Sequence, residues 1–580
     1  MKPTACSRAM RQSVFILVLA LVTVPAFASG FKPEHAEHAM VTSVHEQATI
    51  AGIEILKQGG NAVDAANAVG FALAVVHPAA GNLGGGGFLL LRTATGELHF
   101  LDYREKAPAA ASANMYLDAY GNPIANASVL GYKAIGVPGS VAGMVYAQKK
   151  WGKLPLAKVM ASAIKLARDG VVLTYDEADM MLDHELGSFP ESSRIFHCRG
   201  SYYRQGELFK QPELARTLER IAQNPDDFYH GAMARELAAA IQKGGGLVTE
   251  RDLAAYNVVE RTPLRGTYRG LEIISAPPPS SGGVALMEAL SILEGYDLRA
   301  LGRNSAAEVH FVAEAYRRAF FDRAEFLGDP DFAQIPVAQL LDKKYAAAWR
   351  ETIDPNRASA SAALKRPPFA ELDREAALHA PYIGPEPEHT THYSVVDAEG
   401  NVVAVTTTLN DSFGSRVTAE GLGFLLNDEM DDFATKPGTP NMYGLVQGQA
   451  NVIAPGKRPL SSMTPTIVLR EGKPFLVLGS PGGATIITTV ANVLINVADF
   501  GTDIQRAVNA PRFHQQWMPD ELRVESWQFS PDTLSLLEQM GYKLNRAASW
   551  GDAECIMIDP RNGDRWGASD ARNGGKALGY

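Results

Sequence analysis

His389-Thr390-Thr391-His392-Tyr393-Ser394 is the stretch on which the reading of this chain turns. Two threonines open a run of strand-forming residues directly after a Pro- and Ala-rich segment, residues 355–388, that has little periodicity and the composition of a mobile segment. If the peptide bond before Thr390 breaks, Thr390 gains a free α-amine beside its own hydroxyl, and that pair is a self-contained base and nucleophile. The chain then reads as an enzyme precursor. Downstream the texture turns to β. Residues 391–397 and 402–409 are rich in β-branched side chains and are joined by Ala398-Glu399-Gly400-Asn401, which predicts a hairpin.

Beyond the hairpin, strands are expected at 465–470 and 475–478, and helices at 486–500 and 531–540. Upstream, residues 49–76 show helical apolar spacing broken by Gly59-Gly60-Asn61, which predicts two helices with a turn between them. Gly81-Asn82-Leu83-Gly84-Gly85-Gly86-Gly87 follows, then a strand pair is expected at 88–92 and 98–103. A phosphate loop would need Lys-Ser/Thr and a following helix; close packing of the glycine backbone against an active site or a neighbouring strand fits better. From 140 to 352 the pattern is mostly helical, with runs at 154–169, 212–222, 233–243, 284–293 and 306–323. Extended pieces at 262–275 interrupt it, and Pro277-Pro278-Pro279-Ser280-Ser281-Gly282-Gly283 marks a rigid turn into a helix. This stretch reads as one continuous domain. Strand pairs with helices on their outer faces predict a layered α/β or α+β fold.

Composition narrows the setting. A hydrophobic fraction of 46% over 580 residues suits a well-filled core and excludes disorder as the dominant state. Lys2, Arg8 and Arg11, an apolar stretch at 14–24 and Ala26-Phe27-Ala28 form a secretory signal peptide cut after Ala28; the apolar run is shorter than the ~20 residues of a spanning helix. Export makes the periplasm the expected home, with the extracellular medium as the other possibility. The formal charge of −10, less the signal's three positive residues, leaves about −13, and without a Lys/Arg run nucleic acid is not an expected partner. Cys198 and Cys555 remain after the signal is lost, and whether they pair is open. His35, His38 and His45 lack the partners of a zinc motif, and no serine-hydrolase, zincin or Walker-type signature is present.

At this point the residues carry a family resemblance. Gly-Gly-Asn-Ala-Val-Asp-Ala-Ala at 59–66, Gly-Asn-Leu-Gly-Gly-Gly-Gly-Phe at 81–88, Thr-Thr-His-Tyr-Ser at 390–394, Pro-Leu-Ser-Ser-Met at 459–463, Gly-Ser-Pro-Gly-Gly at 479–483 and Gly-Ala-Ser-Asp at 567–570 occur in that order. Over essentially the whole mature length the chain resembles the bacterial periplasmic γ-glutamyltranspeptidases. The resemblance implies an α+β N-terminal-nucleophile hydrolase, a four-layer αββα sandwich made as one chain and self-cleaved. Residues 1–28 would be the signal, 29–389 the large subunit and 390–580 the small subunit, held together as a heterodimer.

Carried over residue by residue, the resemblance implies Thr390 as nucleophile, with the cut made by attack of its own hydroxyl on the preceding carbonyl and hydrolysis of the resulting ester. The freed amine, with an α-amino pKa of about 7.7–8.0, can serve as base near neutral pH. Thr408 is expected to orient the Thr390 hydroxyl, and Gly482 and Gly483 to form the oxyanion hole. Arg104 with Ser461 and Ser462 would hold the donor's α-carboxylate. Asp432, with Asn410 and Glu429, would hold its α-ammonium. Residues 437–448, with Tyr443, resemble a lid that disfavours a polymeric substrate, so glutathione is the expected donor and water, amino acids or dipeptides the acceptors. No metal or organic cofactor is implied, nor stable membrane insertion. Two alternatives stand beside this: a β-lactam acylase of the same fold acting on a glutaryl chain, and a non-processing paralogue that only binds peptides.

Overall fold

A computed structural model describes residues 32–198, 200–369, 372 and 390–580, without the side chain of Cys198. The signal segment, the bond before Thr390 and most of residues 370–389 lie outside the described residues. The hairpin forms as its β-branched residues dictate. Thr391–Val396 pairs antiparallel with Val402–Thr408, with Thr391 opposite Thr407 and Val396 opposite Val402. The Asp397 carboxylate closes the turn by accepting the backbone N–H of Glu399 at 3.0 Å and of Asn401 at 2.9 Å.

This hairpin is the middle of a seven-stranded antiparallel sheet. Met40–Ser43 and Lys576–Gly579 extend it on one side, and Gly86–Arg92, Leu98–Asp102 and Val259–Arg261 on the other. A second seven-stranded sheet runs Glu34–Ala36, Arg565–Ala568, Cys555–Ile558, Lys473–Leu478, Thr466–Arg470, Leu271–Ser275, Leu264–Tyr268. Residues on both sides of position 390 thus contribute to both sheets.

Alternation along the strands sets the layers. Val396, Val402 and Ala404 point to the inter-sheet core, meeting Ile467, Val477 and Ile556 of the second sheet. Val395, Val403 and Val405 point the other way, into a core shared with the helices Glu46–Lys57 and Ala62–Val76. A strand buried on both faces must be apolar on both, which is why the hairpin reads as a continuous β-branched run. Gly282–Leu293, Ala306–Phe326, Lys343–Glu351 and Thr485–Ala498 cover the outer face of the second sheet. The result is the expected four-layer αββα sandwich.

Several expected elements form with shifts of one to a few residues. The break at 59–61 separates two helices, the second opened by a capping box in which Asn61 and Asp64 satisfy each other's backbone N–H. The 154–169 run is two helices, Leu156–Val159 and Ala161–Asp169, that meet at Met160. The 140–352 stretch supplies helices to both outer layers of the sandwich. Ser140–Trp151, Pro212–Gln223 and Ala232–Lys243 pack on the first sheet, whereas Gly282–Leu293 and Ala306–Phe326 pack on the second. The extended pieces between them are the crossing: Val259–Arg261 ends the first sheet and Leu264–Tyr268 ends the second. Among the described residues no helix is long and apolar enough to cross a membrane. Cys555 is buried with a free thiol.

Candidate active site

Thr390 stands at the head of the central hairpin, 7% exposed, where the strand emerges from the inter-sheet core. Its Oγ1 lies 3.1 Å from Oγ1 of Thr408, at the end of the paired strand. Thr408 Oγ1 also accepts the backbone N–H of Asn410 at 2.9 Å, so its lone pairs and proton are oriented from two sides. The glycine run explains how Thr408 is held. Asn82 donates to the Thr408 carbonyl at 2.9 Å and accepts the Gly85 N–H at 2.9 Å and the Ser140 hydroxyl at 2.6 Å. Gly85 sits so close to that carbonyl that a Cβ would overlap its oxygen. This is the close backbone packing anticipated from the four glycines.

All the residues singled out from the sequence except Gly482 line one cavity of about 20 Å³, together with Leu445, Met463 and Ile486. Gly482 lies immediately behind Gly483. Both have positive φ, +130° and +50°, and among the described residues no backbone or side-chain group accepts either N–H. The loop is braced from below: Thr485 donates its hydroxyl to the Gly482 carbonyl at 2.6 Å and its N–H at 2.8 Å.

The charged end of the cavity is built around Arg104, which is fully buried. Its guanidinium pairs directly with Glu429 and Asp432, lies 3.6 Å from Glu105, and donates to the Leu460 carbonyl at 3.2 Å. Burial by itself would lower the Arg104 pKa, but the three carboxylates hold it above the ordinary value. Burial pushes Glu105 up to about 7 against the pull of Arg104, and raises Glu429 well above the carboxylate range. With Glu105 and Glu429 held towards their neutral forms, Asp432 is left as the anionic partner of Arg104 in this cluster.

Two asparagines place the acidic turn Glu429–Asp432. Asn427 donates to the Gly84 and Gly136 carbonyls at 2.7 and 3.0 Å and accepts the Glu429 N–H at 3.1 Å. Asn451 donates to the Asp432 carbonyl at 2.6 Å and accepts the Leu460 N–H at 3.0 Å. Ser461 is held in turn by the Pro-rich turn, through Ser281 N–H and hydroxyl bonds to its carbonyl at 2.7 and 2.6 Å.

Sequence reasoning missed Arg323, Glu105 and these two asparagines. Arg323 donates to the Ser462 hydroxyl at 3.1 Å and to the Ser281 hydroxyl at 2.9 Å. It is fully buried, and burial, opposed only by Asp432, draws it down to about 10. It therefore brings a second positive charge to the serine end of the cavity. The lid expectation has a structural counterpart. Residues 438–447 fold into a short loop, with Asn441 N–H donating to the Leu445 carbonyl at 3.2 Å. Tyr443 from this loop donates its hydroxyl to the Asn410 carbonyl at 2.7 Å, with its ring against Gly483.

Chemically, the arrangement offers a hydroxyl nucleophile with an orienting partner, unused N–H groups on a positive-φ glycine loop, and a buried cluster able to pair one carboxylate and one ammonium. The chain is similar to known proteins over most of its length. The family model described as gamma-glutamyltranspeptidase matches residues 48–580. A glutathione hydrolase proenzyme from Escherichia coli (strain K12) is 50% identical over 547 residues, covering 94% of this chain and 92% of that protein. Among solved structures, the cephalosporin acylase from Bacillus halodurans superposes with a TM-score of 0.82 at 27% identity, covering 96% of this chain and 98% of that one. The gamma-glutamyltranspeptidase of Helicobacter pylori superposes with a TM-score of 0.56 at 43% identity, covering 57% of this chain and 96% of that chain.

Proposed function

The chain belongs to the γ-glutamyltranspeptidase family, and from that premise we propose that it is a self-cleaving threonine-nucleophile enzyme that hydrolyses the γ-glutamyl amide of glutathione and transfers the γ-glutamyl group to amine acceptors. The observation that carries the assignment of parts is the 3.1 Å contact between the Thr390 and Thr408 hydroxyls on the wall of a cavity that also holds Arg104, Asp432 and Gly483.

Thr390 Oγ attacks the γ-carbonyl, its proton passing to the α-amine that cleavage has freed. The oxyanion forms against the N–H groups of Gly482 and Gly483. Arg104, with Ser461 and Ser462, takes the donor's α-carboxylate, and Arg323 supports that end through Ser462. Asp432, with Asn410, takes the α-ammonium. Because Arg104 and Asp432 pair with each other, a bound glutamyl group inserts its own carboxylate and ammonium between them and replaces one ion pair by two. Tyr443 closes the cavity over the glutamyl group. Glu429 acts through Arg104, whose guanidinium it orients.

The first 28 residues are an export signal and the mature protein works in the periplasm as a heterodimer of residues 29–389 and 390–580. A glutaryl acylase would need the carboxylate partner without the ammonium partner, and Asp432 beside Asn410 in the cavity favours the amino acid donor. Intact mass with N-terminal sequencing of the purified protein is the test. A fragment beginning Thr-Thr-His-Tyr-Ser in a preparation that releases glutamate from glutathione supports the reading, and an uncut, inactive chain refutes it.

A further inference from the structure

Arg323 sits in the last turn of Ala306–Phe326, behind the wall of the donor cavity and not on it. Its guanidinium is fully buried, and a buried cation is ordinarily matched by an anion. Among the described residues no carboxylate bonds to it. Nε donates to Ser281 Oγ at 2.9 Å, Nη2 donates to Ser462 Oγ at 3.1 Å, and Nη1 meets no acceptor. Both partners are neutral hydroxyls, and both lead towards the cavity.

A hydroxyl that accepts a bond from behind can offer its own proton only elsewhere. Ser462 Oγ accepts from Arg323, lines the cavity, and among the described residues has no acceptor for its proton. Ser461 Oγ accepts the Met463 N–H at 3.1 Å and is likewise left to donate into the cavity. Ser281 Oγ, held by Arg323, donates to the Ser461 carbonyl at 2.6 Å. One guanidinium therefore grips the serine pair at two points. The charge count points the same way. Glu105 and Glu429 are held towards their neutral forms. Asp432, the acid whose charge acts on Arg323, already pairs with Arg104. Two guanidiniums thus share one carboxylate, and the serine end of the cavity is short of an anion.

Resting on the proposed reading of this cavity as a γ-glutamyl donor site, we infer that Arg323 is a positioning residue that sets selectivity for a free α-carboxylate over the same donor with that group amidated. It does so by fixing the Ser462 hydroxyl as a donor to the cavity and by adding a positive charge behind it. A carboxylate only accepts, so it suits a site lined with donors, and its charge supplies the missing anion. A carboxamide brings no charge, and its NH2 group meets donors where it needs acceptors. Without Arg323 the Ser462 hydroxyl is free to turn and accept from that NH2, and the discrimination falls.

The test compares γ-glutamyl-p-nitroanilide with its α-carboxamide on processed protein, taking the ratio of kcat/KM for p-nitroaniline release. The ratio is internal to each preparation, so a misfolded fraction cancels. Wild type should favour the free acid, and Arg323→Met should lower that ratio by about tenfold, the worth of one charge-assisted hydrogen bond. Arg323→Lys keeps the charge but not the two-pronged grip, and should lower it by about threefold. A ratio in Arg323→Met within twofold of wild type, with equal loss on both donors as a purely structural role would give, overturns the inference. Where Arg323→Met yields no processed protein, Arg323→Lys carries the decision on the same criterion. A wild-type protein that uses both donors alike overturns the inference together with the carboxylate assignment beneath it. Processed protein that releases p-nitroaniline from neither donor overturns the donor reading itself.

Discussion

Replacing Gly483 by alanine loads the glycine loop with two separable costs, backbone strain and a collision with Tyr443. Gly483 has φ +50°, and an L-residue with a Cβ in that left-handed region costs roughly 1–2 kcal/mol. The added Cβ would also lie 2.6 Å from Tyr443 Cδ1 and 2.8 Å from Cε1, well inside the ~3.5–4.0 Å of ordinary carbon contact. Tyr443 is buried and cannot yield without giving up its 2.7 Å hydrogen bond to the Asn410 carbonyl, a further ~0.5–1.5 kcal/mol. The sum, roughly 1.5–3.5 kcal/mol, falls on the loop whose N–H groups are proposed to take the oxyanion. At 1.36 kcal/mol per decade it predicts a loss of roughly 10- to 400-fold in kcat. The assay is release of p-nitroaniline from saturating γ-glutamyl-p-nitroanilide by processed protein, with thermal melts to confirm folding. Repeating the substitution in a Tyr443→Ala background removes the collision but not the backbone strain, so the penalty there should shrink by roughly 2- to 10-fold. A Gly483→Ala enzyme within twofold of its parent, or an equal penalty in both backgrounds, would refute this account of the loop.

Thr390→Ala should leave a single uncut chain on a denaturing gel and no turnover, and a cleaved, active variant would overturn the mechanism. Asp432→Ala should still be processed, because Arg104 keeps Glu429 and Glu105 as partners. Its KM for donor should rise roughly 10- to 150-fold, the worth of one charged hydrogen bond, and an unchanged KM would remove Asp432 from the donor site. Glu308 is pushed up to about 8 by burial. Between the unfolded value near 4.5 and 8 the folded state therefore holds the extra proton, and the native stability this group permits is present at low pH and lost as pH rises. Glu308→Gln lacks that dependence, so its Tm relative to wild type should climb between pH 5 and pH 8; a flat difference would contradict the shift.

What could be read in advance follows the range of the forces involved. The hairpin at 391–408, the paired helices either side of Asn61 and the helix Gly282–Leu293 are written in short-range pattern, and they form nearly where expected. Glu34–Ala36, Met40–Ser43, Arg565–Ala568 and Lys576–Gly579 are too short to show a period, and only their distant partners make them strands. The candidate nucleophile, glycine loop and lid segment could be singled out because their residues are consecutive and carry the family resemblance. Arg323 was not. It lies on a helix, Ala306–Phe326, whose Glu314, Arg317, Arg318 and Asp322 are also buried. Their partners, such as Asp520 for Arg317 and Arg366 for Asp322, are far away in sequence, so the pattern alone resembles a solvated face. Asn427 and Asn451 were missed for the same reason: each acts by bridging backbone segments remote in the chain.

The interleaving of the two sheets gives maturation a direction. Met40–Ser43 and Gly86–Arg92 flank the hairpin that begins at Thr390, and Leu271–Ser275 pairs with Thr466–Arg470 in the other sheet. A cut before Thr390 would create a chain end without creating a free sheet edge, so neither product can leave as a folded body. The change shows only on unfolding. Refolding of the uncut Thr390→Ala chain is a first-order search whose rate does not depend on dilution. The severed pair must first find each other, and recovery becomes second order and fails when dilute. If the chain is cut as proposed, the bond before Thr390 would serve as a tether needed once, and its loss would make any later reassembly depend on concentration.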